Sequence, residues 1–434
     1  MRKTFQAYAE VRRRPEFRRF WLGMMISRAG DAFTTVTLAW VVLDIAGPVQ
    51  LGVVLMCFGL PRIVSGPVAG RLLERFRPRI LLAADNAARG LLIAAVPCLL
   101  WGHHLVVADL YGIAAVSAML SSVTEVAEAA LVPRLVDDGQ LDAANSLLSA
   151  NWELAYIVGP AMAGVIVATL GAPFALLCDA VSFAVMSVIC VGLPALGPAS
   201  EAATGKAKPA RRNVRGLAIL FRFPAVLVLS FCGFGMLFLD GVATVLYPVY
   251  CRSFLQAGAT GYGILMSAAG AGALLGVVAG AALAGRLPPS LRIGAVIMAG
   301  APLFGLLRLA PDLVVAAILL GLAAFAWGPY SVFERTLVQR LVPDDMRSSL
   351  FGARIMISSL GFPLGSAVGG ALIGGIGGVP GVILAIACSY LLLGLLPLLA
   401  PALRGLDAVA GSRVQIRPPV PRAEATARSE GLSV

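Results

Sequence analysis

Charged residues are scarce in this sequence, and their scarcity excludes a water-soluble globular fold. Asp, Glu, Lys and Arg make up 13% of the 434 residues, whereas 59% are hydrophobic. Soluble domains carry about 25% charged residues. A chain of this length cannot cover a water-facing surface with so few charges, so lipid is expected to surround most of the molecule.

Metal-binding and redox motifs are also missing. The seven cysteines lie in or beside apolar stretches, and none belongs to a C-x-x-C pair. The two histidines, His103 and His104, are adjacent in an expected loop. We interpret the cysteines as small buried hydrophobic residues rather than disulfides or metal ligands. Neither a metal nor a cofactor is predicted.

Nucleotide-binding and hydrolase motifs are absent too. The sequence has no P-loop, H-E-x-x-H or G-x-S-x-G motif, so no enzyme activity is predicted. GAGALLG at 270–276 falls inside an apolar stretch, where small residues favour close helix packing. The net charge of +11 comes from basic residues between apolar stretches. This placement indicates membrane topology rather than a nucleic-acid partner.

What the sequence does contain is twelve apolar stretches that are long enough to span a membrane as helices. We place them at 19–44, 50–72, 80–100, 107–132, 143–170, 173–195, 223–250, 259–284, 292–309, 313–334, 348–375 and 378–402. The fold class predicted is an all-α integral membrane protein with two six-helix bundles.

Around these stretches the chain divides into five segments. We predict a cytoplasmic N-terminal segment at 1–18, the N-terminal bundle at 19–195, a cytoplasmic linker at 196–222, the C-terminal bundle at 223–402 and a disordered cytoplasmic tail at 403–434. Basic residues concentrate in the N-terminal segment and in every even-numbered connection. By the positive-inside rule, both termini lie in the cytoplasm of a bacterial cell, and the protein in its inner membrane.

The two bundles are related by an internal repeat. ALVPRLV at 130–136 resembles TLVQRLV at 336–342. The same offset of 206 residues relates Arg134 to Arg340, Gly159 to Gly365, and Gly164 to Gly370. Because six spans separate the copies, both have the same orientation, which makes this a parallel pseudo-repeat.

Four stretches resemble the major facilitator superfamily, and within it the bacterial branch of enterobactin exporters and macrolide efflux proteins. They are FRRFWLGMMISRAGDAF at 17–33, GPVAGRLLERFRPR at 66–79, LVPRLVDDGQLDAANSL with YIVGPAMAG within 131–164, and QRLVPDDMR at 339–347. The resemblance implies a secondary transporter whose two bundles rock around a central cavity.

The resemblance assigns a gating role to the loop after the second helix. Gly70, Glu74, Arg75 and Arg79 match the loop signature of the superfamily, with Glu74 where aspartate is usual. The acid of that signature contacts the cytoplasmic end of helix eleven in the opposite bundle. Here that helix is expected to begin near Ser348, and the contact to form when the cytoplasmic side is closed.

A second motif lies on the fifth helix. Gly159, Pro160 and Gly164 resemble the antiporter signature of drug/proton exchangers, although Ala155 and Ala163 stand where the signature has glycine. Glycine lets helices approach closely, and proline bends a helix at a domain interface. The resemblance implies transport out of the cell.

Acids inside the spans are candidates for proton coupling, because such residues are costly in a membrane and usually functional. Asp31 and Asp240 occupy similar contexts, DAFTTV and DGVATV, in the first and seventh helices. We expect both to line the central cavity. Arg28, three residues before Asp31, offers an ion pair on the same helix face as a purely structural alternative.

Glu125 and Glu128 are a second pair of proton-coupling candidates. They share a face of the fourth helix, and Glu128 is 206 residues before Glu334. Two neighbouring carboxylates in a low dielectric are not both ionised cheaply, so one is expected to carry a proton. Ion pairing with Arg134 near the helix end is the structural alternative.

The residues predicted to line the substrate cavity are Arg28, Trp152, Glu153 and Trp327. Asp179 and an Asp85–Arg89 pair are weaker functional candidates, with structural pairing favoured.

The predicted function is a proton-coupled antiporter that exports amphipathic organic compounds, such as drugs, antibiotics or siderophores, by alternating access. Its expected partners are the small substrate, protons and membrane lipid, and it is expected to work as a monomer. An importer or lipid flippase of the same fold stays open as an alternative. A non-transporting membrane receptor or scaffold stays open as well.

Overall fold

The computed structural model describes residues 2–194, 220–283, 287–342, 344–375 and 378–405. Most of the predicted linker, 196–222, and most of the predicted tail, 403–434, lie outside these residues. The described part of the chain folds into α-helices with short connections.

The first half consists of one short helix and six long ones. They are α1 (Arg2–Arg13), α2 (Pro15–Ile45), α3 (Pro48–Arg75), α4 (Pro78–Trp101), α5 (Val107–Leu135), α6 (Leu141–Thr169) and α7 (Ala172–Val191). Proline in the first turn begins four of the six long helices. Proline suits that position because its missing N–H has no helical partner there. The long helices correspond to the six predicted spans.

The second half has six spans as well, of which three are interrupted. Its helices are α8 (Pro224–Val249), α9 (Gly258–Leu283), α10 (Pro289–Ala299), α11 (Ala301–Leu306), α12 (Leu313–Trp327), α13 (Tyr330–Leu341), α14 (Asp344–Ser359), α15 (Gly361–Gly374) and α16 (Gly378–Leu399). The interruptions fall next to Pro302, Pro329 and Pro363, each with a glycine within two residues. Proline removes a helical hydrogen bond and glycine destabilises a helix interior through its conformational freedom, which explains the breaks.

Eleven candidate membrane-spanning helices occur among the described residues. The helix α2 is not one of them, because Arg28, Asp31 and Asp44 interrupt its apolar sequence. It nevertheless packs along α6 and α7 as a full-length member of its half. The predicted all-α, multi-pass membrane fold is confirmed. Helix eleven begins earlier than predicted, at Asp344 rather than near Ser348.

The same helix pairs recur in both halves. The contacts of α2 with α6, α3 with α5, and α4 with α7 are repeated by α8 with α15, α9 with α12, and α10 with α16. Tight turns recur too, with positive-φ glycines where α3, α7, α9 and α16 begin. These glycines are Gly47, Gly171, Gly258 and Gly378, with φ of 83°, 93°, 65° and 54°. We call the end of the molecule with these turns the short-turn end, and the opposite end the basic end.

The halves meet mainly through two helix pairs, α6 with α9 and α3 with α15. Glycine permits the close approach in both. A Cβ at Gly164 would lie 2.6 Å from the carbonyl oxygen of Ala259, and one at Gly370 would lie 2.8 Å from that of Pro48. The hydroxyl of Thr260 donates to the carbonyl oxygen of Gly164 at 3.3 Å. These contacts are all near the short-turn end.

Further polar contacts between the halves lie at the same end. The backbone N–H of Ala161 donates to the hydroxyl of Ser267 at 3.1 Å. Arg252, just after α8, forms an ion pair of 2.6 Å with Asp44 at the end of α2.

A crevice separates the halves toward the basic end. The contacts of α3 with α15 include Gly52 and Gly59, whereas Gly66 and Gly70, further along α3, face open space. On α6, the side chains of Trp152 and Tyr156 are 46% and 53% exposed. The molecule is therefore closed at the short-turn end and open at the basic end.

Candidate functional site

A cavity of about 310 Å³ lies within the N-terminal half. Every lining residue except Phe362 of α15 belongs to that half. One part of the wall is apolar and includes Leu38, Leu51, Val54, Leu55, Phe58, Ile93 and Phe183. The other part carries Arg28, Asp31, Arg62, Arg89 and Glu125. A cavity of this kind suits a molecule with both apolar and polar surfaces.

Arg28 on α2 pairs across the bundle with Glu128 on α5. Its Nη2 donates to a carboxylate oxygen of Glu128 at 3.1 Å. Its guanidinium carbon lies 4.0 Å from the ring centre of Trp152, in a cation–π arrangement. The structural alternative for Asp31, an ion pair with Arg28 on the same helix, is not found.

Arg62 on α3 pairs with Glu125, one turn before Glu128 on α5. Each of the two glutamates thus binds an arginine from a different helix. That one of these two glutamates carries a proton stays a prediction. Sequence reasoning missed Arg62, although an arginine inside an apolar stretch was a signal for it.

Arg89 on α4 is the centre of a second group of charges. Its Nη2 donates to Asp31 at 2.6 Å, and its guanidinium carbon lies 4.2 Å from the ring centre of Phe183. Asp85 and Asp179 lie within electrostatic range of the same guanidinium. The predicted Asp85–Arg89 pair is corrected, because the arginine bonds to Asp31 instead.

The other two acids of this group bond to hydroxyls. Asp179 is fully buried and accepts hydrogen bonds from Thr34 and, at 3.0 Å, from Ser182. Asp85 is 3% exposed and accepts from Thr124, while its Oδ1 has no hydrogen-bond partner. No described cation lies within 4 Å of either carboxylate. One guanidinium thus faces three carboxyl groups.

In the C-terminal half, Asp240 on α8 matches Asp31 in its local geometry. The hydroxyl of Thr244 donates to the backbone oxygen of Asp240 at 2.8 Å, as Thr35 does to that of Asp31 at 2.9 Å. Its carboxylate makes no hydrogen bond or ion pair with any residue that the structure describes. Asp240 is exposed in the crevice.

Glu334, the repeat counterpart of Glu128, is also paired with an arginine. It is 2% exposed and binds Arg354 through both carboxylate oxygens. The arginine partner of Glu128 lies on α2, the first span of its half. The arginine partner of Glu334 lies on α14, in the fifth span of its half. Neither Glu334 nor Arg354 lines the cavity.

Trp327 lies outside the cavity, contrary to the sequence prediction. Its indole N–H donates to the carbonyl oxygen of Ile297 at 3.0 Å, and its ring centre lies 4.3 Å from that of Tyr390. It therefore packs inside the C-terminal half. Glu153 does not line the cavity either; it is exposed in the crevice beside Tyr156.

The fifth-helix motif is divided between two contacts. Pro160 and Gly164 lie against α9 of the other half, where the carbonyl of Pro160 faces Gly263. Gly159 instead packs on Ala32 of α2, within its own half.

The predicted gating residues lie at the basic end. Gly70 faces open space on α3, and Glu74 and Arg75 form its last turn. Arg79 donates to the carbonyl oxygen of Leu193 at 2.6 Å, which ties the start of α4 to the end of α7.

Comparisons with known proteins agree on one family. The profile of the Major Facilitator Superfamily matches residues 20–361. The Multidrug efflux pump Tap of Mycobacterium tuberculosis is 28% identical over 402 residues, covering 88% of this chain and 93% of the relative. The Enterobactin exporter EntS of Shigella boydii is 25% identical over 330 residues, covering 76% and 77%.

Solved structures show the same fold. The nucleoside transporter NupG aligns with a TM-score of 0.66 at 14% identity, covering 88% of this chain and 98% of that one. A bacterial homologue of the iron transporter ferroportin, in an inward-facing state, aligns with a TM-score of 0.67 at 17% identity, covering 88% and 98%.

Proposed function

The chain belongs to the major facilitator superfamily, and we propose that it exports amphipathic organic compounds across the bacterial inner membrane in exchange for protons. Export is supported by the multidrug efflux pump and the enterobactin exporter among its relatives. The amphipathic wall of the cavity supports the substrate class.

Alternating access follows from the two interfaces. With the positive-inside orientation, the short-turn end is periplasmic and the crevice opens to the cytoplasm. Substrate then enters from the cytoplasm or the inner leaflet. Export requires the contacts of α6 with α9 and α3 with α15 to separate. Glycine-lined contacts suit such separation, because few side chains interlock across them.

The charge balance around Arg89 carries the proposal of proton coupling. A guanidinium neutralises one carboxylate, yet three face it, and two of these are buried. An uncompensated buried carboxylate is so costly that it binds a proton instead. The group around Arg89 therefore holds protons when the cavity is empty.

Asp31 is the acid of this group that a proton or substrate in the cavity can reach. Its side chain is 32% exposed to the cavity, whereas Asp179 is fully buried. Protonation of Asp31 weakens its bond to Arg89 and leaves the arginine free to turn toward Asp85 or Asp179. Because these acids sit on α2, α4 and α7, the exchange changes how three helices pack. That change provides a differential free energy between the two facing states.

The experiment is transport into proteoliposomes with an imposed pH gradient, using a panel of fluorescent amphipathic compounds. We expect flux that reverses with the gradient and stops with an uncoupler. Asp31→Asn is expected to fold but lose coupled flux, whereas Asp142→Asn, an exposed acid at the basic end, retains it.

The other outcomes separate the alternatives. Flux that persists after the gradient collapses contradicts proton coupling. In intact cells, accumulation of substrate instead of its loss indicates an importer. Transfer of labelled lipid between leaflets without flux of the panel indicates a flippase. Absence of flux under every gradient indicates a receptor or scaffold.

A further inference from the structure

Asp240 differs from the acids that line the cavity in the other half. Asp31 and Glu125 each bind an arginine, and Asp179 accepts hydrogen bonds from two hydroxyls. Asp240 has neither kind of partner among the described residues, and its exposed side chain is open to the crevice. A carboxylate in a crevice with low-dielectric walls attracts cations from solution. Its charge is therefore available to a ligand that enters the crevice.

Three tyrosines lie near this carboxylate. Tyr247 on α8, Tyr390 on α16 and Tyr156 on α6 lie within electrostatic range of it. Tyr247 is 8% and Tyr390 4% exposed, so both side chains are almost wholly buried. Nevertheless, neither hydroxyl forms a hydrogen bond within the described structure. Neither hydroxyl is among the fully buried, unpartnered polar atoms of the described residues, so both oxygens are accessible to a ligand beside the unpaired acid.

We propose that Asp240, Tyr156, Tyr247 and Tyr390 form a site, here called the acid–tyrosine site, that binds the protonated amino group of a transported organic amine. An ammonium N–H donates to a carboxylate and to phenol oxygens, and phenol rings attract a cation through their faces. A hard metal ion is a poor fit, because it requires several carboxylate or carbonyl ligands and this site has one carboxylate.

The site also joins the two halves. Asp240, Tyr247 and Tyr390 belong to the C-terminal half, whereas Tyr156 lies on α6 of the N-terminal half and packs against Gly270 of α9. A bound amine therefore contacts both sides of an interface that must separate during transport. That geometry gives the ligand different contacts in the two facing states, as coupled transport requires.

This inference rests on the proposed transport of organic compounds, but it is tested without transport. Two fluorescent probes of nearly equal shape are compared, 2-(1-naphthyl)ethylamine and 2-(1-naphthyl)ethanol. Binding to the purified full-length protein is measured by equilibrium dialysis, with protein-free micelles as the blank. The variants are Asp240→Asn, Tyr247→Phe and Tyr390→Phe, and Asp142→Asn, in the exposed first turn of α6, provides a charge-matched control.

We expect the wild-type protein to bind the amine more tightly than the alcohol. Asp240→Asn should weaken amine binding about 10- to 100-fold, and each phenylalanine variant about 2- to 10-fold. Alcohol binding should stay unchanged in all of them, which also shows that the variants are folded. The inference is overturned if Asp240→Asn leaves amine binding unchanged or weakens both probes equally. If binding behaves as expected but no proteoliposome flux is seen, the proposed function fails and the site stands.

Discussion

The two halves share a scaffold but differ in their polar groups. Gly90 of α4 packs against α7, and Gly294 of α10 packs against α16, so the two glycines occupy equivalent places. The residue before Gly90 is Arg89, at the centre of three acids, whereas the residue before Gly294 is the fully buried apolar Ile293. The repeat thus retains the backbone contacts that bring helices together. The charged residues can differ between the halves, because a charge inside a membrane protein needs a partner nearby but not at a repeat-related position.

The largest effect is expected from removing the cation of the N-terminal group. Arg89→Leu leaves Asp31 without its bonded partner and Asp85 and Asp179 without a nearby positive charge. Breaking a buried ion pair from one side costs about 3–5 kcal/mol. The measurement is unfolding of the purified protein in detergent, monitored by temperature or denaturant. A buried arginine of the other half, Arg292, provides the matched control.

Arg292 is 9% exposed, and its guanidinium carbon lies 5.0 Å from the ring centre of Phe333. Among the described residues no acid lies within 4 Å of it. Arg292→Leu is therefore expected to cost far less than Arg89→Leu, and adding Asp31→Leu to the latter should recover part of its loss. Equal destabilisation by the two single variants would contradict the difference between the halves.

The second comparison uses the two glutamates related by the repeat. Glu334→Gln removes a charge that binds Arg354 in the interior, so it is expected to cost about 1.5–3 kcal/mol of stability. Glu128→Gln releases Arg28 beside the cavity, so its main expected effect is a loss of transport of roughly tenfold, about 1.4 kcal/mol. Stability and flux are measured for both variants. If both variants lost stability and flux in the same proportion, the two glutamates would be equivalent.

The partners of Arg28 and Asp31 show why the site was only partly predictable. In the sequence the two are three residues apart, which favours a pair on one helix face. In the structure their partners are Glu128 and Arg89, which are 100 and 58 residues away. An apolar pattern tells which residues face lipid, but not which of several buried charges will meet. That choice depends on how the helices are rotated and packed.

The spans were predictable for the opposite reason. Their length and apolar character are local requirements of the bilayer, so α4, predicted at 80–100, is found at Pro78–Trp101. The breaks were harder to place. Pro160 lies inside the continuous helix α6, whereas Pro329 follows the end of α12. Proline alone does not decide whether a helix breaks, because neighbouring helices can hold it together.

The third prediction concerns the interface at the short-turn end. A Cβ at Gly164 would lie 2.6 Å from a backbone oxygen of α9, so Gly164→Ala forces the two helices apart. Overpacking typically costs about 1–3 kcal/mol. Here it destabilises only the state in which the short-turn end is closed. The population should shift toward opening at the short-turn end. Gly112→Ala, at a glycine facing open space on α5, is the control.

The shift is measured as the distance between spin labels on the two halves, placed at exposed positions of the basic end. Shorter distances in Gly164→Ala than in Gly112→Ala support a rocking motion in which one end closes as the other opens. Unchanged distances would mean that the interface around Gly164 stays closed throughout the cycle.

The fourth prediction returns to the loop at the basic end. The resemblance to the loop signature of the superfamily implies that Glu74 contacts helix eleven when the basic end is closed. A carboxylate at a helix N-terminus contributes about 0.3–1 kcal/mol. Glu74→Gln should therefore favour the state open at the basic end and lower turnover, with greater labelling of cysteines introduced in the crevice. Unchanged labelling and flux would reduce the loop to a topology signal.

The smallest effect is expected for the ion pair between Asp44 and Arg252, which joins the halves at the short-turn end. Both side chains are nearly half exposed, at 49% and 44%, so solvent screens the pair. Exposed pairs contribute about 0.2–1 kcal/mol. Because the pair connects α2 to the end of α8, Asp44→Asn should destabilise only the state closed at this end. The same spin-label distances should then show a shift in the ratio of states of about 1.4- to 5-fold. High salt should produce a similar shift in the wild-type protein and none in the variant. A shift by salt in the variant as well would mean that other charges, rather than this pair, hold the short-turn end closed.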